Sequence, residues 1–282
     1  MGGIRTEAFI RSLEGVDNKM KVYWICRKEM DYLRTFRTTD GSLKTALSEY
    51  KQALRAVDEH HPAIKYLHRS KEVAAQYRDS QNEKLSIRQH NVRTVSDPDA
   101  FKIKCEWLLR EVSYIDHLLG LAGLTGRRTS ELMCTAKMTP VDYGHVMFEG
   151  QLKTRKGEPR PPYIIPVLTD STVVVEALEK LQAGKPELWG NPKKTVDRTS
   201  KAISAKVNKH FIDLLTIPVE LPGIKGKRLE GRDLRRAYAA IAFHESDKGG
   251  TITKQRYISD ILGHGENDMG TGASYMDFII GE

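Results

Sequence analysis

Residues 124–130 have the sequence Leu-Thr-Gly-Arg-Arg-Thr-Ser, a glycine-containing turn between two helical patterns. Ahead of the turn, apolar residues at a spacing of three or four form one helix face, and they are Phe101, Cys105, Leu108, Val112, Ile115 and Leu119. A second helix is predicted to begin near Ser130. Arg128 in this turn can make bidentate contacts to a phosphate, although alone it is more typical of a surface arginine beside Arg127. The stretch therefore predicts a mostly helical domain with a candidate anion-binding residue.

Beyond the turn, the sequence predicts a small β-hairpin followed by more helices. Val146, Phe148, Gly150 and Leu152 alternate with their neighbours, and an extended run follows at 163–168 after two prolines. The polar segment 153–160 between them is predicted to be the turn. Helical patterns return at 171–182, 200–215, 233–244 and 253–262. The predicted fold class is mostly α with a small β-sheet, an α+β domain.

The N-terminal third is predicted to be a separate helical unit. Residues 5–90 show helical patterns and no alternating strand pattern. The helical patterns lie at 22–26 together with the charged residues that follow, at 43–57 and at 64–85. From residue 86 to 99 the apolar residues thin out, and Ser96-Asp97-Pro98-Asp99 is both a linker signal and a helix-start signal. We therefore predict a helical domain at 1–95 and a second domain at 96–282.

Composition indicates an ordered protein with a basic surface. The chain has 282 residues, 39% of them hydrophobic and 29% charged, and a net charge of +8. Residues 1–95 contain 18 Lys and Arg against 12 Asp and Glu, so 18 − 12 = +6 lies there. This suits a polyanionic partner, although a solvated basic surface is a common alternative. No apolar stretch is long enough for a membrane span, and no secretory signal is recognisable, so a cytoplasmic protein is expected.

The sequence implies neither a metal nor a nucleotide cofactor. Three well-separated cysteines have no zinc-ligand spacing and are predicted to be reduced core thiols. His60-His61 lacks accompanying carboxylates or cysteines at ligand spacing. A phosphate-binding loop with Gly-Lys-Ser/Thr is also missing from the sequence. The chain stops soon after its last motif, and we expect it to be truncated at both ends.

Several residues could together cleave a phosphodiester, a reaction that without a metal needs a nucleophile, cations and an acid. Besides Arg128, the candidates are Lys153 at the predicted hairpin turn, Arg235 in an arginine-rich helix start, His264 after a helix-ending glycine, and Tyr275. Each alone is more typical of a structural or solvated residue. Glu131 and Asp233 are predicted to orient neighbouring arginines.

Taken in order, these segments resemble the catalytic domain of tyrosine recombinases. The segment 125–132 resembles the one with the first catalytic arginine, which corresponds to Arg128. The family's hairpin lysine corresponds best to Lys153, with Lys156 as a second choice. Residues 232–235 resemble its His-x-x-Arg segment, so its second arginine corresponds to Arg235. Leu262-Gly263-His264 resembles its Leu-Gly-His motif, and Tyr275 lies where the nucleophile is expected.

Within that superfamily, the sequence is most similar to hairpin telomere resolvases, also called protelomerases. The segments that carry this similarity are 126–128 with two adjacent arginines, 148–153, 238–243 and the acidic, asparagine-containing 262–267. Two features depart from ordinary integrases. Arg232 stands where integrases have histidine, which favours a purely cationic role. The interval from His264 to Tyr275 is about two residues longer and contains Gly270-Thr271-Gly272, so tyrosine delivery is expected to depend on DNA or a second subunit.

The resemblance implies a C-shaped clamp on double-stranded DNA, with a helical DNA-binding domain at 1–95 and a tyrosine-recombinase-like catalytic domain at 96–282. Tyr275 would form a 3′-phosphotyrosine, Arg128, Arg235 and His264 would stabilise the transition state, Lys153 would protonate the 5′-oxygen and Arg232 would add charge. A homodimer on an inverted-repeat site would then seal hairpin ends, as a cytoplasmic, nucleoid-associated protein of bacterial or phage origin. The alternative within the superfamily is a conventional integrase that exchanges strands between two duplexes. A non-catalytic, basic DNA-binding protein is the competing hypothesis outside it.

Overall fold

A computed structural model describes residues 2–37, 39–69, 71–90, 92–152, 160–188, 190–216, 228–246, 251–263, 275–276 and 278–281. The chain divides into two compact units, residues 1–87 and 88–282. This division comes earlier than the predicted boundary, because residues 93–95 form a strand that pairs with strands of the second unit.

The first unit is helical, as predicted. It contains α1 (Gly2–Arg11), α2 (Lys19–Phe36), α3 (Asp40–Val57), a 3-10 turn (Pro62–Lys65) and most of α4 (Lys71–His90). The predicted single helix at 64–85 is wrong: a 3-10 turn with Pro62 in its first turn precedes α4. Residues 86–90, predicted to be linker, are the last part of α4. Apolar side chains from α1, α2, α3 and the 3-10 turn form the hydrophobic core of this unit.

After the last residues of α4, the second unit continues with β1 (Arg93–Val95) and contains the other helices of the described residues. They are α5 (Pro98–Leu108), α6 (Tyr114–Thr125), α7 (Thr129–Cys134), α8 (Ser171–Gly184), α9 (Pro192–Phe211), α10 (Gly231–Glu245) and α11 (Lys254–Leu262), with a 3-10 turn at Pro186–Leu188. The predicted helix start at 96–99 is confirmed, since Asp97 accepts a hydrogen bond from the backbone N of Ala100 at 2.9 Å.

The predicted continuous helix face from residue 101 to 119 is wrong, because α5 and α6 are separate helices. Ser113 caps the start of α6 with its hydroxyl, and Val112 in the intervening turn is fully exposed. Every residue of α6 from Ile115 to Thr125 is buried, so α6 lies at the centre of the second core. The turn that follows α6 is thereby fixed on a rigid element.

Two three-stranded sheets complete the second unit. One is β2 (Lys137–Asp142), β3 (His145–Glu149) and β4 (Tyr163–Pro166), with antiparallel neighbours. It confirms the predicted hairpin as β3 and β4, but β3 ends at Glu149, and β2 was not predicted. The other, with strand order β5–β1–β6, joins β5 (Leu215–Thr216) and β6 (Phe278–Ile280) to either side of β1.

The predicted fold class, mostly helical with small sheets, is confirmed. None of the helices in the described ranges is both long enough and apolar enough to span a bilayer.

Candidate active site

The turn between α6 and α7 presents Arg128 at the start of a helix. Gly126 ends α6 with φ of +64°, and a side chain there would collide with the ring of Tyr238 on α10. Only glycine therefore lets α10 pack against this turn. Arg128 is the residue just before α7, and its side chain is 25% exposed.

Glu131 is a fully buried carboxylate that holds Arg128 in place. It accepts hydrogen bonds from the backbone N of Arg128 at 3.1 Å and from Nη1 of Arg128 at 2.5 Å. Burial alone would raise the pKa of Glu131, but the charges of Arg235, Arg128 and Arg127 outweigh it and lower that pKa. The predicted orienting role of Glu131 is confirmed by this contact.

Arg235 projects from the first part of α10 into the interior and is 2% exposed. Its Nη1 donates to the carbonyl of Gly126 at 2.5 Å, and its Nη2 donates to the carbonyl of Leu262 at 2.8 Å. Burial, reinforced by the neighbouring Arg127 charge, lowers the pKa of Arg235 to about 10. A single guanidinium thus joins the α6–α7 turn to the end of α11.

Tyr275 lies beside Arg235, half-buried against the core of the second unit. The guanidinium carbon of Arg235 is 5.4 Å from the centre of the Tyr275 ring. Burial would raise the pKa of Tyr275, but the charges of Arg235 and Arg128 and a hydrogen bond with Arg235 outweigh it and lower that pKa. The structure therefore brings Tyr275, Arg235 and Arg128 together.

Strand β6 begins three residues after Tyr275 and fixes the chain there. It pairs in parallel with β1, and Nζ of Lys254 on α11 donates to the carbonyl of Phe278 at 2.9 Å. The Phe278 side chain is completely buried. Tyr275 is thus held from its C-terminal side by a paired strand whose first side chain is buried.

The other predicted site residues are not in this cluster or lie outside the described residues. Arg232 is 52% exposed and forms an ion pair with Glu230 at 2.8 Å. Lys153, its alternative Lys156, His264 and the segment Gly270-Thr271-Gly272 lie outside the described residues. The described chain does reach Leu152, immediately before Lys153, and Gly263, immediately before His264.

Sequence reasoning missed Arg236 and the buried role of Arg127. Nη1 of Arg236 lies 2.9 Å from Asp233, which confirms the orienting role predicted for this carboxylate, and its charge also lowers the pKa of Tyr275. Arg127, weighed as a surface neighbour of Arg128, is 1% exposed and lies 4.8 Å from the centre of the Phe148 ring. The only signal in the sequence was the unusual pair of adjacent arginines.

The site has more positive than negative charge. The guanidinium groups are those of Arg93, Arg127, Arg128, Arg235 and Arg236, and the carboxylates are Glu131 and Asp233. Among the described residues of this site, the five guanidinium groups thus outnumber the two carboxylates by three, and those of Arg235, Arg128 and Arg236 act on Tyr275. Such an excess in a poorly solvated site favours a bound anion such as a DNA phosphate. Within the ranges described, no three His, Cys, Asp or Glu side chains are grouped as a metal site.

Comparison with known proteins identifies relatives with this architecture. The family model "Telomere resolvase ResT/TelK catalytic domain" matches residues 91–278. No curated protein matches the chain. Among solved structures, an alanine variant of protelomerase TelA covalently complexed with substrate DNA is 26% identical, with a TM-score of 0.84 over 98% of this chain and 88% of that chain. Another variant, complexed with a DNA hairpin product, is 25% identical, with a TM-score of 0.83 and the same coverage.

A third structure, protelomerase TelK complexed with substrate DNA, is 16% identical and has a TM-score of 0.63 over 99% of this chain and 58% of that chain, and it shares the fold. Together the matches support cleavage and rejoining of DNA into hairpin ends, and none supports strand exchange between two duplexes. Because the family model covers well over half of the chain, this protein belongs to the ResT/TelK family of telomere resolvases.

Proposed function

We propose that this telomere resolvase uses Tyr275 as its nucleophile. The phenolic oxygen attacks the scissile phosphorus, the bond to the 5′-oxygen breaks, and the 3′-phosphate remains joined to the tyrosine. Arg128 and Arg235 stabilise the charge on the non-bridging oxygens of the pentavalent transition state, because guanidinium groups match that geometry. His264 assists them, Lys153 gives a proton to the departing 5′-oxygen, and Arg232 adds positive charge near the DNA.

One observation carries this proposal: Tyr275 is half-buried, yet its pKa is lowered by Arg235 and Arg128. A buried tyrosine without such neighbours has a raised pKa, as Tyr257 does on α11. A lowered pKa makes the proton easier to remove during attack, and the same cations stabilise the phosphate that is attacked.

The second half of the reaction seals the DNA. The 5′-hydroxyl of the same end folds back and attacks the phosphotyrosine, which releases Tyr275 and closes a hairpin. The phosphotyrosine conserves the energy of the phosphodiester, so rejoining requires no energy-rich cofactor. Both strands must be cut to give two hairpins, and we therefore propose a homodimer on an inverted-repeat DNA site.

The first experiment tests the nucleophile with Tyr275→Phe. We expect the variant to bind an inverted-repeat duplex like the wild type, because only the hydroxyl is lost, and to form no covalent protein–DNA adduct after denaturation in SDS. Tyr257→Phe, which removes a hydroxyl bonded to the carbonyl of Ala242, is the matched control and should keep the adduct. A covalent adduct from Tyr275→Phe would refute the assignment, and DNA products unchanged by it would favour a non-catalytic DNA-binding protein.

The second experiment tests the homodimer. Sedimentation of the protein on a duplex with both half-sites should give two chains per duplex, and on a duplex with one half-site it should give one. A single chain on the complete site that still forms both hairpins would contradict the proposed assembly.

A further inference from the structure

The backbone carbonyls at the end of α11 accept hydrogen bonds that the proposed chemistry does not itself require. Carbonyl groups at the C-terminus of a helix lack partners within the helix. At the end of α11, three successive carbonyls accept hydrogen bonds from three different segments. Ile261 receives Nη2 of Arg127 at 2.6 Å, Leu262 receives Nη2 of Arg235 at 2.8 Å, and Gly263 receives Nε2 of Gln151 at 2.8 Å.

Tyr163 on β4 links two of these three donors, Arg127 and Gln151. Its hydroxyl accepts a hydrogen bond from Nη1 of Arg127 at 2.6 Å and donates one to Oε1 of Gln151 at 2.9 Å. Both ends of the Gln151 amide are therefore engaged, the oxygen with Tyr163 and the nitrogen with Gly263. This fixes which way the amide faces.

Arg127 has the environment of a positioning residue. Its Nε donates to the carbonyl of Thr125 at 3.2 Å, so the hydrogen bonds of its side chain go to two carbonyls and a hydroxyl. The side chain is 1% exposed. Because its guanidinium nitrogens are already bonded inside the protein, Arg127 does not have the access to DNA that Arg128, 25% exposed, retains.

The end of α11 lies so close to this network that only glycine fits there. Gly263 has φ of +74°, and a side chain at this position would collide with Oε1 of Gln151 and Oη of Tyr163. The contact between α11 and the residues after β3 is thus a close one.

We infer that Arg127, Tyr163 and Gln151 form a positioning network that fixes the residues following β3 against the end of α11. Along the chain, Gln151 precedes Lys153 by two residues, and Gly263 immediately precedes His264. The network therefore sets the starting point of the segment that carries the proposed acid, against the end of α11, which Arg235 also holds. This inference rests on the proposed function, since it assigns to that segment a role in catalysis.

A substrate with altered chemistry separates positioning of the acid from general damage. In a 5′-bridging phosphorothiolate, sulfur replaces the 5′-oxygen at the scissile phosphate. A thiol has a pKa of about 8.5, so the sulfur leaves as a thiolate without being protonated. Cleavage of this substrate by the wild type does not need the acid, whereas it still needs the nucleophile and the cations.

The experiment measures the single-turnover rate of covalent adduct formation on the oxygen and sulfur versions of an inverted-repeat duplex that the wild type cleaves. Gln151→Met keeps the length of the side chain and loses its hydrogen bonds, and Tyr163→Phe loses only the hydroxyl. On the oxygen substrate we expect each variant to be about 10-fold to 100-fold slower than the wild type, part of what a general acid contributes. On the sulfur substrate each should come within about threefold of the wild type, since only the acid step is impaired.

The controls are the same two kinds of substitution, Gln→Met and Tyr→Phe, at other positions of the second unit. Nε2 of Gln182 on α8 donates to the carbonyls of Leu132 and Ala136, both at 2.9 Å, and Tyr257 donates to the carbonyl of Ala242. Gln182→Met and Tyr257→Phe remove comparable hydrogen bonds and should show no difference between the two substrates. A Gln151→Met enzyme that is slowed equally on both substrates, or not slowed at all, would overturn the inference.

Lys153→Ala in the same assay separates the inference from the proposed function. If Lys153→Ala is not rescued by sulfur while Gln151→Met is rescued, Lys153 is not the acid but the network still positions the group that is. If Lys153→Ala is rescued and Gln151→Met is not, the assignment of the acid stands and the network is structural only.

Discussion

Glu131 is the residue on which the cations of the site depend. It has no exposed surface, and the charges of Arg127, Arg128 and Arg235 all act on it. A carboxylate removed from such a site leaves buried guanidinium groups without their counter-charge, which is strongly destabilising.

We predict that Glu131→Gln lowers the free energy of unfolding of the second unit by about 3 kcal/mol. The carboxyl pKa of Glu131 is lower in the folded protein than its ordinary value of 4.5, so its ionised form stabilises the fold above that pH. The contribution disappears as the pH falls through the lowered pKa. Urea titrations over a pH series should therefore give the largest difference between variant and wild type above pH 4.5 and a shrinking one below it.

A difference in stability between Glu131→Gln and the wild type that stays constant, or that grows as the pH falls, would contradict the stabilising role of the ionised Glu131. Glu149→Gln, at an exposed position on the end of β3, provides the control and should change stability little at any pH.

At the residue scale, the sequence pointed to Tyr275, Arg235 and Arg128, which the structure brings together, but not to what Arg127 does. Tyr275 and Arg235 were found from their order along the chain, and the structure places them side by side. The partners of Arg127 are the carbonyls of Thr125 and Ile261 and the hydroxyl of Tyr163. Every residue has a backbone carbonyl, so the sequence does not show which carbonyls accept hydrogen bonds from a side chain. A buried arginine bonded to carbonyls therefore cannot be distinguished in the sequence from an exposed one.

At the scale of elements, helix ends with a polar cap or a glycine were predicted well and short strands were not. Asp97 and Gly263 mark the start of α5 and the end of α11, as their local chemistry requires. Strands β1, β5 and β6 have two or three residues each, too few to show an alternating pattern. Their pairing depends on partners that are far away in the sequence.

The glycine that ends α11 gives a prediction at this scale. Gly263→Ala should be destabilising for two reasons, the positive φ and the collision with Gln151 and Tyr163. Gly190 also has a positive φ, +75°, but among the described residues no atom lies within 4 Å of the place that a Cβ would take. Gly190→Ala should therefore cost about 1 kcal/mol, and Gly263→Ala clearly more.

Thermal unfolding of the two alanine variants, together with their rates of adduct formation, checks this. We expect only Gly263→Ala to slow cleavage. Equal losses of stability in the two variants would mean that the end of α11 can move away from Gln151 at no cost.

At the scale of the whole molecule, each unit has a hydrophobic core of its own. The first core is formed by residues of α1 to α3 and the 3-10 turn, and the second is built around α6. The sequence predicted two domains from the loss of apolar residues after residue 85, but it could not show that β1 is part of the second sheet.

A fragment that begins at Arg88 should consequently fold alone. We expect its circular dichroism to show a cooperative thermal transition at the temperature at which the second unit unfolds in the full chain. A control fragment that begins at residue 97 lacks β1 and should be less stable, because β5 and β6 lose the strand between them. Equal stability of the two fragments would show that β1 is dispensable.

With Tyr275 as the proposed nucleophile, strand β1 also determines when the enzyme can become active during its synthesis. Residues 93–95 leave the ribosome early, but their parallel partners, residues 278–280, are added almost at the end of the described chain. Contacts between residues so distant in sequence form late, since a long loop must close first. The segment with Tyr275 is therefore anchored only after nearly all of the second unit has been made. A nascent chain that already carries Arg128 and Arg235 would not yet hold its tyrosine in place, and DNA would be protected from cleavage by an unfinished enzyme.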